Sequence, residues 1–260
     1  MVVSIHPEAS RVGAEVMRQG GNAVDAAVAT GFALAVVHPA AGNIGGGGFL
    51  LLRFANGETH FVDFREKAPL KATEKMYLDE QGKVVEGLSL YGYKAIGVPG
   101  SVAGLAHAQQ KWGKLSLKQV VAPAIKLAQD GFPLTSRDAE ELQDPELAKF
   151  PESRRVFQRD GNFYRQGEVF RQPELARTLE RIANDPNDFY KGKLAEEIAA
   201  TLQKSGALIT ADDLAKYEVK ERKPVRGIYR GLEIISAPPP TRLHEVWRHG
   251  PRRGERPRQE

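Results

Sequence analysis

This 260-residue sequence contains no cysteine, which excludes a disulfide, a thiolate nucleophile and an iron–sulfur cluster but does not identify a compartment. Its six histidines are scattered. Only His244 and His249 stand near helical metal-ligand spacing, so no metal site and no cofactor are expected. Long apolar runs are missing as well: the uncharged stretch Ala26 to Val37 is too short to cross a hydrocarbon core of about 30 Å, and no membrane segment is read. Met1-Val2-Val3-Ser4 shows neither a basic n-region nor an apolar h-region, so no export signal is read there. No internal repeat is visible. The glycine motifs of nucleotide-binding folds fail too. The run Gly45 to Gly48 precedes a strand instead of following one, lacks the spacing of a dinucleotide fingerprint, and is not followed by a P-loop lysine. Gly100-Ser101 lacks the spacing of a nucleophile elbow, and Ser101 is expected to be the N-cap of a helix starting at Val102.

Charge of one sign is scarce until the end of the chain. Six of the 37 basic and three of the 33 acidic residues fall in 241–260, which leaves 31 and 30 in the first 240 residues, nearly balanced. The segment from Thr241 to Glu260, with Arg252-Arg253, two prolines and no apolar periodicity, reads as a disordered tail. Two readings of it compete: a patch for nucleic acid or an anionic membrane, and an extension foreign to the preceding body. The abrupt change at Thr241 favours the second, so no nucleic-acid partner is expected.

What is present concentrates between Gln19 and Pro69. Asn22 sits at an N-cap position before an alanine-rich segment whose only charge is Asp25, and His38-Pro39 ends it, which predicts a helix buried all round. Residues 49–55 and 58–64 are rich in strand formers and flank Asn56-Gly57, the signal for a two-residue hairpin turn. Pairing Ala55 with Glu58 sets Leu51 opposite Val62, Phe49 opposite Phe64 and Gly48 opposite Arg65, so the arginine emerges beside the glycine run. A guanidinium matches a carboxylate bidentately, and glycines admit a ligand close to the backbone. Arg65 reads either as a carboxylate clamp or as half of a surface ion pair with Asp63 or Glu66, and Gly45, Gly46, Gly47 and Gly48 read either as pocket backbone or as a tight packing turn. Spacing alone favours the ion pair, since exposed pairs are common.

Four ordered blocks resemble the large-subunit portion of the γ-glutamyltranspeptidases: Gly20 to Ala27, Gly42 to Phe49, Asp63-Phe64-Arg65-Glu66-Lys67-Ala68-Pro69, and Val98-Pro99-Gly100-Ser101-Val102-Ala103-Gly104. Pro123 to Phe132, Asp188 to Gly192, Leu208 to Leu214 and Tyr229 to Pro240 continue the resemblance, which covers Met1 to Pro240, about the first half of a full-length member. The resemblance implies an α+β fold, the large-subunit half of the N-terminal-nucleophile hydrolase αββα sandwich, made by a precursor that cuts itself in two. It implies that Arg65 grips the α-carboxylate of the γ-glutamyl group, and that the N-terminal threonine of the small subunit attacks the γ-glutamyl amide with its own α-amino group as base. Glutathione and γ-glutamyl compounds are the implied substrates, and water or an amino-acid or peptide acceptor takes the group. Family members are periplasmic, secreted or membrane-anchored, while the chain as encoded reads as cytoplasmic.

After Pro238-Pro239-Pro240 the family pattern breaks off. No threonine-rich processing site follows, Thr241 is no substitute for it, and the chain is expected to lack the catalytic threonine and to be inactive without a small subunit. The domain reading is therefore 1–240 for the family region and 241–260 for the tail. Half of a shared sandwich is expected to leave sheet edges and apolar faces uncovered. The other reading of function is a non-catalytic module that binds a glutamyl carboxylate or a partner through Arg65. Further along, helices are expected over 102–110, 117–129, 173–183, 188–204 and 211–216, the last behind a Thr210 to Asp213 capping box. Strands are expected over 218–225 and 231–236. Residues 133–172 read as a charged surface excursion with a short helix near 137–147 and a hairpin-like turn at Asp160-Gly161.

Overall fold

The computed structural model describes residues 1–239, so the tail from Thr241 onward lies outside the described residues. Its centre is helix α2 (Ala23–Val37), of whose 15 residues 11 are buried, including Phe32, Val28 and Val36 without exposed surface. No polar stripe interrupts this helix, so neighbours must cover every side of it. Helix α1 (Pro7–Arg18), α3 (Ser101–Trp112) and α4 (Leu117–Asp130) pack against it, and α7 (Pro173–Asn184) packs on α4. Helix α1 adds to the sequence-based expectation. Pro7 at its first turn supplies a preset φ, and the His6 Nδ1 accepts the Glu8 N–H as N-cap.

The single charge of α2 is satisfied from three directions. Asp25 has no exposed surface and accepts hydrogen bonds from the Asn22 N–H (2.6 Å), the Gln109 side-chain amide (2.6 Å) and the N–H groups of Lys114 and Leu115 (3.0 and 2.9 Å). Asn22 closes a capping box with it and donates its own amide to the Trp112 carbonyl. One carboxylate thus ties the start of α2 to the end of α3 and the start of α4. Burial by itself raises the Asp25 pKa, but these donors outweigh it and hold the carboxyl below its ordinary value.

The sheet side is smaller. Strands β1 (Phe49–Arg53), β2 (Thr59–Asp63) and β5 (Lys220–Arg222) form an antiparallel sheet in the order β1-β2-β5, with α3 against β2. Strands β3 (Phe132–Pro133) and β4 (Val169–Phe170) pair separately, as do β6 (Val225–Tyr229) and β7 (Leu232–Ser236). The β6–β7 ribbon exposes Ile228 at 81% and Leu232 at 70%, an uncovered apolar surface of the kind expected for half of a larger sandwich.

Several expectations are corrected. The β1–β2 register is shifted by one residue: Leu51 faces Phe61, Phe49 faces Asp63 and Gly48 faces Phe64. The loop holds three residues, not two. Phe54 and Glu58 close it (N–H to O, 2.8 Å), Gly57 takes φ +85° and donates to the Phe54 carbonyl, and Asn56 Oδ1 accepts the Glu58 N–H. This is the three-residue alternative for an Asn-Gly pair, with glycine in the left-handed position. Ser101 is not the N-cap of α3. Gly100 holds that position with no side-chain cap, and the N–H groups of Gly100 and Ser101 both donate to the Gly46 carbonyl at 2.8 and 3.0 Å.

The expected helix 188–204 is two, α8 (Asp188–Lys191) and α9 (Lys193–Lys204), because Asp188 folds back over Gly192 to accept the Leu194 N–H while pairing with Arg181. The expected strand 218–225 divides at Lys223-Pro224, since proline has no N–H to offer a ladder. Helix α10 (Ala211–Ala215) begins at the expected Thr210–Asp213 capping box. Residues 133–172 are more than a surface excursion. They hold α5 (Ser136–Glu141), a 3-10 turn at Leu147–Lys149, α6 (Pro151–Gln158) and a second 3-10 turn at Arg159–Gly161 in place of a hairpin. Leu134, Leu142 and Phe170 from this segment enter the core, and the buried Gln158 side chain donates to the Leu142 and Asp144 carbonyls.

Candidate functional site

The segment that carries Arg65 is built by Phe64. Its N–H and C=O pair with Gly48, and its buried ring lies against Gly48 and Gly104, where an added Cβ on Gly104 would come within 2.1 Å of the Phe64 Cγ. Glycine at 104 is thus a requirement of close packing between α3 and the strand end. Gly47 stands opposite Arg65, and a Cβ there would meet the Phe64 carbonyl at 2.6 Å and the Glu66 N–H nitrogen at 2.7 Å. The shifted register therefore still leaves Arg65 beside the glycine run, one residue earlier than expected.

The Arg65 main chain is held at both ends. Its N–H donates to Asp63 Oδ1 at 3.1 Å, and its carbonyl accepts the Tyr217 hydroxyl at 2.9 Å. Tyr217 stacks on Tyr190 at 5.5 Å, and the Tyr190 hydroxyl in turn donates to the Pro99 carbonyl and accepts the Ala103 N–H. Burial pushes both phenols above their ordinary range, and for Tyr217 the charges of Asp63 and Glu66 add to it, so the proton that binds the Arg65 carbonyl stays in place at neutral pH.

The Arg65 side chain, by contrast, is loosely held, in the surface ion pair with Glu66 that the spacing favoured. It is 61% exposed and makes no hydrogen bond among the described residues; its nearest charge is Glu66 Oε2 at 3.5 Å, and its Cζ lies 5.7 Å from the Phe49 ring centre. Asp63, the other partner considered for a surface pair, gives its second oxygen to Arg222 Nε at 2.8 Å instead. Arg65 borders a cleft of about 360 Å³ lined also by Glu66, Lys67, Pro69, Met76, Tyr77 and Lys94. Another cavity, of about 270 Å³, is walled by Phe132, Leu134, Leu142, Phe157 and Phe170 and contains none of the candidate residues.

The four glycines divide. Gly47 and Gly48 are packing positions, and Gly46 lends its carbonyl to the start of α3, whereas the exposed Gly45 would meet only Asn43 Oδ1, at 3.4 Å. None of the four lines the cleft beside Arg65. Sequence reasoning did not find Tyr217, Lys67 or Lys94 near this site. The Asp63 side chain was read only as an ion-pair partner and not as the acceptor of the Arg65 N–H, and Tyr217 lies 152 residues away and carries no local signal. Among the described residues no group of three or more His, Asp or Glu side chains is placed to hold a metal, and no helix is long and apolar enough to cross a membrane.

The gamma-glutamyltranspeptidase family pattern matches residues 9–244. The chain belongs to the gamma-glutamyltranspeptidase family. It is 48% identical over 245 residues to a glutathione hydrolase proenzyme of Escherichia coli, a match covering 93% of this chain and 42% of that protein. The chain thus spans about two fifths of the length of such relatives. The crystal structure of Helicobacter pylori gamma-glutamyltranspeptidase superposes with a TM-score of 0.90 at 51% identity, over 93% of this chain and 70% of that one. The enzyme from Pseudomonas nitroreducens complexed with L-DON gives a TM-score of 0.86 at 48% identity, over 92% and 71% of the two chains. The α+β architecture is accordingly that of the N-terminal-nucleophile hydrolase relatives, in part, and the relatives' naming as proenzymes fits a family matured by cleavage.

Proposed function

We propose that this chain supplies the glutamyl-binding half of a γ-glutamyltransferase that hydrolyses glutathione or passes its γ-glutamyl group to an amino acid or peptide. The observation that carries the reading is the contrast at Arg65: a main chain locked by Asp63 and Tyr217, and a guanidinium with no hydrogen bond at the edge of a cleft. The substrate α-carboxylate takes the guanidinium fork, displacing the loose contact with Glu66. Gly45, outside the cleft but with only Asn43 Oδ1 near an added Cβ, leaves room for a headgroup to approach the backbone. The carboxylate so held orients the γ-amide toward an N-terminal threonine carried by a small subunit. That hydroxyl attacks the amide carbon, the threonine's own α-amino group takes its proton, and cysteinylglycine leaves; water or an acceptor amine then releases the glutamyl group. The chain by itself is inactive in this scheme. Its setting is periplasmic or extracellular.

The test is release of cysteinylglycine from glutathione by this chain, alone and mixed with a separately expressed small subunit. Turnover is expected only in the mixture and is expected to fall on the order of 100-fold with Arg65→Ala, the scale of a lost bidentate charged contact of roughly 3 kcal/mol. Threonine-dependent turnover by the chain alone, or an Arg65→Ala mixture as active as the parent, overturns the proposal.

A further inference from the structure

The cavity of about 270 Å³ shares no lining residue with the cleft beside Arg65, and its lining has charge of one sign only. Its apolar wall is made by Phe132, Phe157 and Phe170 with Leu134, Leu142 and Leu147. The charged residues that line it are three carboxylates, Asp138, Glu141 and Asp144, and no lysine, arginine or histidine of the described residues joins them. A greasy chamber edged by anions calls for an apolar cation.

Asp138 is the carboxylate built into the wall. It is 9% exposed, and its Oδ2 accepts the Thr135 N–H at 2.8 Å and the Thr135 hydroxyl at 2.7 Å, with His6 Nε2 at 3.4 Å. Its Oδ1 accepts no hydrogen bond among the described residues. The His6 ring meets Phe132 edge-on at 5.7 Å, and Phe132 meets Phe170 edge-on at 6.0 Å, so the carboxylate and the aromatic wall are placed together. Burial works against the ionised Asp138, but the Thr135 donors and His6 outweigh it and hold the carboxyl below its ordinary value, so the oxygen stays charged at neutral pH. The other two carboxylates are less enclosed. Glu141 takes Arg137 Nε at 2.8 Å and has His38 Nδ1 at 3.7 Å, while the exposed Asp144 accepts the Glu146 N–H at 2.9 Å.

Volume and charge narrow the occupant. A dry cavity of about 150 Å³ already takes a benzene ring, so this one has room for a ring and a short arm. A buried carboxylate oxygen without a partner favours a charged donor, and an ammonium offers three N–H groups. A free amino acid brings its own carboxylate against three of the same sign, which disfavours it.

We propose that this cavity is a binding site for a small arylalkylamine, its ring among Phe132, Phe157 and Phe170 and its ammonium on Asp138 Oδ1. The site is independent of Arg65 and needs no small subunit.

Three of its lining residues are leucines, so the full chain with labelled leucine methyls is titrated with 2-phenylethylamine, 2-phenylethanol and phenylalanine. The amine is expected to shift Leu134, Leu142 and Leu147 with a Kd of about 1 mM or below, while Leu50 and Leu202, which do not line the cavity, stay in place. The alcohol should bind about tenfold more weakly, the scale of one lost charged hydrogen bond, and phenylalanine should not bind. Asp138→Asn should weaken the amine about tenfold and leave the alcohol unchanged. Because Asp138 also closes the cap of α5, Leu147→Trp, which fills the cavity from outside that cap, is a second variant and should abolish the shifts at Leu134 and Leu142. Equal affinity for amine and alcohol, equal affinity for amine and phenylalanine, an unchanged amine Kd in either variant, or silent leucines at about 10 mM amine overturns the site.

Discussion

Around α2 the charged group Asp25 is enclosed, with donors from three segments aimed at its two oxygens, whereas on the strand end Arg65 is pinned through its backbone and left open at its tip. Both residues sit in blocks that resemble the family and both are charged. They differ in what their surroundings have already satisfied. A carboxylate that has used its acceptor sites on its own protein holds elements together and has nothing left for a ligand; a guanidinium engaged only in one loose, exposed ion pair is available for one. Substitutions in the two regions should therefore separate into losses of stability and losses of binding.

The largest separation is expected at Asp25. Asp25→Ala leaves the Gln109 amide and three N–H groups without their acceptor and should lower unfolding free energy on the order of 4 kcal/mol in urea titration. A loss below about 1 kcal/mol would show that the hub is decorative. Arg65→Ala is the opposite case: stability within about 0.5 kcal/mol of the parent, as for an exposed side chain, beside the roughly 100-fold loss of turnover in the reconstituted enzyme. Gly104→Ala probes the joint between the regions. Its methyl group competes with the Phe64 ring and should cost about 1–3 kcal/mol while also disturbing Arg65, so melting temperature and glutathione affinity should fall together.

Acid offers a finer test. Asp25, Asp138 and Asp213 are all held below the ordinary aspartate value of 3.8: burial opposes this in each, and donors such as Gln109, Thr135 and the Leu70 N–H outweigh it. A carboxyl depressed in the folded state stabilises the protein above its unfolded pKa and loses that contribution as pH falls through the folded one. Stability should therefore decline as pH drops below about 3.8, and Asp25→Asn should flatten that decline by up to about 1.4 kcal/mol per pH unit. An unchanged slope would remove Asp25 from the acid response. Smallest is Glu66→Gln, which removes the loose competitor for the guanidinium and should lower the KM for glutathione by no more than about threefold, with kcat unmoved.

Legibility follows the same division. The caps Asn22 and Thr210, the proline-led start at Pro173 and the glycine after α4 act over three or four residues and were read from spacing, whereas the start of α1 at Pro7 was not. The hairpin shows the limit. Asn56-Gly57 marks the turn, but one extra loop residue moves every cross-strand partner by one, and nothing local chooses between loops of two and three. Ser101 failed as an N-cap because its helix is capped by a carbonyl from Gly46, more than fifty residues earlier. Residues 133–172 looked like surface because their charges are dense, while Leu134, Leu142 and Phe170 are spaced too irregularly to reveal a buried side.

By itself the sequence determined the caps of α2 and α10 and the end of α4, that α2 must lie inside, and that an arginine follows a strand near a glycine run, because caps, turns and hydrophobic patterns are short-range effects of the backbone. Only the tertiary structure decided which of those residues has spare bonding capacity. Asp25 is filled by Gln109, 84 positions on, and the Arg65 backbone is locked by Tyr217, 152 positions on, while the exposed tip of Arg65 keeps only a loose ion pair with Glu66. Contacts at such separations depend on how the whole chain closes on its core, and that closure distinguishes a structural charge from one free to hold a ligand.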